Sequence, residues 1–249
     1  MKKIVIVNNK GGVGKTTVAS QLAFHLAESG FSVVALDLDG QRNLTTALQG
    51  QKVAGSSLDM ISSGEAPEIA AEQGEVVLIS GDADIPVSTD DEVLRLSALS
   101  IAGLDGADFC IIDTPPTFSA VVYGALVSAD YMLSPIELKR FSLDGVEGVV
   151  KAFFQIQEIN PDIAFLGLLP SRYDAVKKSE RDMLRLVASQ YAELIIPHAI
   201  HNRVAYEAAG AEGLHIKEVN TASGKVAAAE FQAFFDWFRE AVDEGKGLL

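Results

Sequence analysis

The sequence has one cysteine, Cys110, in 249 residues. That excludes an internal disulfide and a thiolate metal cage. It also excludes an iron–sulfur cluster bridged by two cysteines from each of two subunits. No apolar run approaches the roughly 20 residues that a membrane-spanning helix needs. Met1-Lys2-Lys3 ahead of Ile4 to Val7 imitates the start of a signal peptide. That apolar run is far shorter than the ~7–15 residues of a signal's hydrophobic region, so a buried first strand is the better reading. Internal repeats and low-complexity linkers are also missing. A cytoplasmic location is expected. Positive charge is scarce, with 20 Lys and Arg against 34 Asp and Glu, for a formal net charge of −14. Taken alone, this argues against a nucleic-acid partner. The shortage is uneven, however. Residues 170–225 hold eight basic and seven acidic side chains, whereas the rest of the chain holds 12 and 27.

What is abundant is apolar content, at 48%, enough to bury a large core. The length suits a single domain over residues 1–249, with no N-terminal helix-turn-helix extension expected. Residues 4–7, 33–38, 76–79, 109–112, 131–133, 163–169 and 194–196 read as strands. Several are apolar throughout, as in strands covered on both faces. Between them, 15–29, 91–102, 118–128, 143–158, 179–190 and 222–243 read as helices. This alternation implies an α/β fold with a doubly wound, mostly parallel sheet flanked by helices. Ligands in such sheets sit at the carboxyl ends of the strands. Residues 49–73, rich in Ser, Gly and Ala, read as loops with a short helix. In the last helix Phe231, Phe234, Phe235 and Phe238 share one face. It reads as a core face and not a membrane-binding one, because Glu230, Asp236, Glu240, Asp243 and Glu244 would be repelled by anionic lipid.

Three segments carry chemistry. In "NKGGVGKTT", Gly11, Gly12 and Gly14 free the backbone around Val13 to turn amide groups towards one anion. The following helix adds its positive end, Lys15 can reach the β- and γ-phosphates of a nucleotide, and the Thr16 hydroxyl can ligate Mg²⁺. In "FCIIDTPP", Asp113 ends a strand, where a carboxylate can hold that Mg²⁺ through water. In "ALDLDGQRN", Asp37 and Asp39 fall on one strand face by the period of two, and either could orient attacking water. A solvated turn with a helix cap is the bland alternative for this third segment.

With "DLDGQRNLT" these segments resemble the deviant Walker P-loop ATPases, and closely the ParA-type partition ATPases. The likeness continues through "ADYMLSPIELKRFSLDGVEGVV", "FLGLLPSRYDA" and "IPHAIHNRVAYEAAGAEG" and covers nearly the whole chain. The resemblance implies a role for each matching position. Lys10 is the signature lysine that crosses to the nucleotide of the other subunit in an ATP-bound sandwich dimer. Lys15 acts within its own subunit, Thr16 ligates Mg²⁺ and Thr17 adds a phosphate contact. Asp39 positions the hydrolytic water, Asp37 lies nearer the metal shell and Asp113 holds the metal. Pro170, Ser171 and Arg172 are candidate nucleotide contacts on the adenine side. Gly40 departs from the usual proline and predicts a looser switch segment; Arg42 replaces a usual glycine. Family members bind non-specific DNA as dimers through basic residues of the C-terminal half. Lys178, Arg181 and Arg185, at i, i+3 and i+7 of one helix, are the candidates here with Arg203. An ordinary solvated helix face is the alternative.

The resemblance thus implies a slow Mg²⁺-dependent ATPase, a homodimer on ATP, associated with the nucleoid and partnered by a ParB-like centromere-binding protein. Three rivals remain open: a relative that positions a protein or membrane cargo, a metabolic enzyme on the same scaffold, and a nucleotide-gated binding protein with little hydrolysis.

Overall fold

Strands with apolar side chains at every position need cover on both faces, and the chain provides it. In the computed structural model, which describes residues 1–139, 142–245 and 247–249, the elements follow in strict alternation at first. They are β1 (Lys2–Ile6), α1 (Lys15–Glu28), β2 (Val33–Asp37), α2 (Asn43–Ala47), β3 (Lys52–Ser56), α3 (Ser57–Ser63), β4 (Val76–Ser80), α4 (Asp91–Ala102) and β5 (Phe109–Asp113). Then come α5 (Ala120–Val127), β6 (Tyr131–Glu137), α6 (Ser142–Gln157), β7 (Ala164–Tyr173), α7 (Lys178–Tyr191), β8 (Ile200–His201), α8 (Val204–Glu212) and α9 (Ala222–Asp243). The eight strands form one sheet in the order β3-β4-β2-β5-β1-β6-β7-β8. All their pairings are parallel, so the expected mostly parallel sheet is fully parallel.

Alternation along β1 sends Ile4 and Ile6 to one core and Val5 and Val7 to the other. The first core is closed by α1, α8 and α9. The second lies under α4, α5 and α6. The four α9 phenylalanines are all buried in the first core, at 0–4% exposure, which accounts for the apolar face without a membrane. Among the described residues no helix is long and apolar enough to cross one.

Two expectations fail for identifiable reasons. Residues 49–73 contain an edge strand, β3. Its sequence KVAGS has one β-branched apolar residue, and the register shifts between Val53 and Gly55, so it carries little strand signal. Residues 194–196 do not form a strand. A 3₁₀ turn spans Ala192–Leu194, and Ile195 makes only an isolated bridge to Leu168. Pro197 follows and cannot donate to a ladder, so pairing with β7 resumes only at Ile200. Arg140 and Phe141, inside the quoted segment between β6 and α6, lie outside the described residues.

One buried contact has a pH signature. His25 on α1 places Nδ1 2.8 Å from the Gln21 carbonyl, while its buried Nε2 has no hydrogen-bond partner. The rings of His215 and Phe231 lie 4.2 and 4.8 Å away. Burial pushes His25 down to about 4; His215 and Lys217 add to this, while the Gln21 carbonyl and Glu28 oppose it. Burial also lowers His215. Because the unfolded histidine titrates near 6.5, the unfolded chain takes up more protons below that pH. This contribution to stability is therefore complete above pH 6.5 and is lost as pH falls towards 4. Between pH 7 and 5, urea unfolding should show the wild type losing ~2 kcal/mol more than His25→Leu. Equal losses would exclude His25 as the cause.

Candidate functional site

A parallel sheet aligns all strand carboxyl ends at one edge, and the register decides which side chains meet there. Asp113 ends β5 directly between Ile6 of β1 and Asp37 of β2. The loop that leaves β1 is fixed by Asn8, a buried residue that the sequence did not single out. Its side-chain amide donates to Ser134 Oγ at 3.3 Å and the Pro135 carbonyl at 2.9 Å on β6. Its Oδ1 accepts the Lys10 amide at 2.9 Å. The loop turns into α1 at Gly14, whose φ of +95° is left-handed. A Cβ there would also lie 2.6 Å from Ser171 Oγ. The left-handed conformation calls for glycine, and any side chain there would also force the Ser171 hydroxyl to rotate away. No acidic side chain occupies the first turn of α1 and no side chain caps it. Its free amides and dipole therefore face the loop as an anion site.

Lys15, the first residue of α1, is buried and donates to the carbonyls of Asn8 at 3.3 Å and Lys10 at 3.1 Å. Burial lowers its pKa, while Asp113 and Asp39 pull it back up. Thr16 Oγ1 donates to Asp113 Oδ2 at 2.6 Å. The other oxygen, Asp113 Oδ1, is buried without a hydrogen-bond partner. Burial, reinforced by Asp37, pushes Asp113 up to about 7. An unsatisfied buried carboxylate oxygen beside a threonine hydroxyl fits a hard divalent cation such as Mg²⁺, which takes one or two protein oxygens and leaves the rest to phosphate and water. Among the described residues there is no cluster of three or more His, Cys, Asp or Glu side chains that could hold a metal alone.

The aspartates after β2 separate. Because β2 ends at Asp37, the period of two does not carry Asp39 onto the same face. Asp37 is fully buried. Its Oδ1 accepts the Asp39 amide at 3.1 Å and its Oδ2 accepts the amide and hydroxyl of Thr45 at 2.8 and 2.7 Å. Thr45 in turn accepts the Gly81 amide. Asp37 thus braces the switch segment through three hydrogen bonds. Asp39 is half-buried and lines the cleft, its Oδ1 accepting the Gln41 amide at 3.0 Å. Gly40 has ordinary negative-φ or extended backbone, whereas Arg42 adopts φ +57°, the left-handed conformation that suits a glycine at this position. For arginine it costs about 1 kcal/mol.

The cleft holds about 350 Å³ and is lined by Gly11, Gly12, Gly14, Lys15, Thr16 and Thr17 on one side. Asp39, Gln41, Asn43, Pro116 and Arg172 complete it. Ser171 reaches an adjoining recess with Arg172. Pro170 does not face the cleft; it is paired within β7 against Ile136. Val13 is buried beneath the loop. Lys10 does not line the cleft. Its side chain lies on α6, where a Cβ on Gly145 would meet Lys10 Cε at 3.1 Å. The two lysines of one loop therefore diverge.

The candidate DNA-contacting cations are unequal. Lys178 is exposed at the start of α7. Arg185 is exposed and paired with Asp182 at 3.0 Å. Arg181 donates to the carbonyls of Ala175 and Val176 at 2.8 and 2.6 Å and fastens its own loop. Arg203 donates twice to Glu230 Oε2, at 3.1 and 3.0 Å, sharing that carboxylate with His201. Arg181, Arg185 and Arg203 all have partners within the chain, of which only those of Arg185 and Arg203 are carboxylates, and spacing along the sequence could not reveal them.

Fold, loop and cleft together define a P-loop nucleotide-binding protein. A family profile described as AAA domain (AAA_31) matches residues 1–165. Protein IncC of Escherichia coli is 31% identical over 246 residues, covering 95% of this chain and 68% of that protein. The chromosome-partitioning ATPase Soj of Thermus thermophilus is 30% identical over 176 residues, covering 70% of each. Cobyrinic acid a,c-diamide synthase from Mycobacterium smegmatis, solved with an ATP analogue and magnesium, superposes with a TM-score of 0.78. It is 24% identical and covers 99% of this chain and 97% of its own, a likeness of fold alone. The chain belongs to the AAA_31 family and, with IncC and Soj, to the ParA-type partition ATPases.

Gly14→Ala tests the loop geometry. It should remove ATP binding and lower stability by ~1–3 kcal/mol, from left-handed strain and the Ser171 clash. ATP titration and urea unfolding measure the two; wild-type affinity in this variant would contradict the close approach.

Proposed function

We propose that the protein is a Mg²⁺-dependent ATPase that forms a sandwich dimer on ATP, binds non-specific DNA in that state and is released when a ParB-like partner stimulates hydrolysis. The observation that carries this reading is the divergence of Lys15 and Lys10. Lys15 heads α1 at its own cleft, whereas Lys10, five residues earlier, lies against α6 and away from that cleft; in the proposed dimer it serves the neighbouring subunit. The names of the relatives, a chromosome-partitioning ATPase among them, supply the partition role.

Within a subunit, Lys15, Thr17 and the loop amides hold the phosphates. Thr16 and Asp113 hold Mg²⁺, which when bound neutralises charge on those phosphates. Asp37 stays in the outer position, keeping Asp39 at the cleft through the amide hydrogen bond described above. Asp39 orients the attacking water. Among the described residues no other carboxylate lines the cleft, in keeping with slow basal turnover. Lys178 and Arg185 make the DNA contacts, weakly and with strong salt dependence given the overall charge. The pairing of Arg185 and Arg203 with carboxylates favours a second reading, in which the same ATPase cycle positions a protein cargo.

Lys10→Ala should bind ATP as the wild type does and lose partner-stimulated hydrolysis; unchanged stimulation would remove Lys10 from the partner site. DNA binding should require ATP, with ADP and nucleotide-free protein at least tenfold weaker, and should weaken further in Arg185→Glu. Gel-shift or anisotropy titration at two salt concentrations measures this, and equal binding in all three states would refute the DNA switch.

A further inference from the structure

We infer that Arg172 is a nucleotide-positioning residue whose guanidinium exchanges the carboxylates of Glu137 and Glu207 for the phosphate groups of a bound nucleotide. The inference deepens the reading of the cleft as a nucleotide site and rests on it.

Three independent features converge on this side chain. The first is its backbone. Among the described residues only two that are not glycine have positive φ, Arg42 and Arg172, and Arg172 lies at φ +52° within β7. The pairing of β7 with β8 shifts register between Ser171 and Tyr173, so Arg172 is the extra residue of a bulge. A bulge re-aims a side chain, and strained backbone gathers at functional sites.

The second feature is where the bulge sends it. Arg172 lines both the phosphate cleft and the smaller recess beside it, and Gly14 and Thr17 are shared by the same two spaces. It stands at their junction.

The third is the quality of its contacts. Arg172 Nε lies 3.8 Å from Glu137 Oε1 and Nη2 lies 3.8 Å from Glu207 Oε1, with the side chain 41% exposed. Both separations exceed hydrogen-bond length. A guanidinium that served only to tie β6, β7 and α8 together would gain most from short bidentate pairing, and these two carboxylates offer neither a short contact nor a paired fork. Such a fork matches phosphate oxygens well. Glu137 Oε1 is itself ion-paired with Lys139 at 2.5 Å, so the two carboxylates keep the cation near the cleft without saturating its donors.

The test compares ATP affinity and unfolding midpoint for wild type, Lys15→Ala, Arg172→Gly and Glu207→Gln. Glycine adopts left-handed backbone freely, so Arg172→Gly should lower ATP affinity at least tenfold while the midpoint stays or rises. Glu207→Gln removes a competing carboxylate at an exposed position and should raise affinity about twofold to threefold. Affinity within twofold of wild type in Arg172→Gly, or weaker binding in Glu207→Gln, overturns the assignment of Arg172. Failure of wild-type protein to bind ATP, or equal binding by Lys15→Ala, overturns instead the nucleotide reading beneath it.

Discussion

The site depends on one electrostatic constraint. Parallel register sets Asp37 and Asp113 side by side at the buried carboxyl end of the sheet, where neither carboxylate is solvated. Two such groups cannot both carry full charge there without compensation. Asp37 obtains it from three hydrogen bonds, two of them from Thr45. Asp113 receives one from Thr16 and has an oxygen left over. The shortage of positive charge at that point is what makes the neighbouring loop, with its lysine and free helix amides, a place for cation and phosphate together.

The same constraint organises the switch segment. Asp37 links the end of β2 to Thr45 at α2, and Thr45 links onward to Gly81 after β4. Asp39 is held two residues away by an amide donated back to Asp37. The glycine at position 40 therefore leaves the segment less free than a sequence reading suggests, because the turn is fixed on both sides of it. Among the described residues, strain collects at Arg42 and Arg172, which have left-handed backbone; Arg172 lines the cleft, and Arg42 sits between Gln41 and Asn43, which do.

Most of the fold was legible because strands covered on both faces are apolar throughout, and a strand–glycine loop–helix unit is written in a short local pattern. The places of Lys15, Thr16 and Asp113 were legible for the same reason, each fixed by its distance from an element end. β3 and β8 were not, since an edge strand and a two-residue strand after a proline owe their pairing to neighbours and not to their own residues. Asn8 and Thr45 escaped notice because their roles are contacts to β6 and to Asp37, distant or buried partners that local spacing does not encode. The engagement of Arg203 by Glu230, 27 residues later, is of the same kind. Asp39 does line the cleft, but the strand ended earlier than the period of two required.

In the proposed cycle ATP joins two subunits through a loop whose two lysines serve different nucleotides. The most direct measurement is molar mass by light scattering at micromolar protein with Mg²⁺ and ATP, with Mg²⁺ and ADP, and with Lys10→Ala in ATP. The expected mass is near twice that of the 26.5 kDa chain with ATP alone, and that of the monomer with ADP and in the variant. A wild-type chain that stays monomeric with ATP, or a mass indifferent to nucleotide, would contradict it.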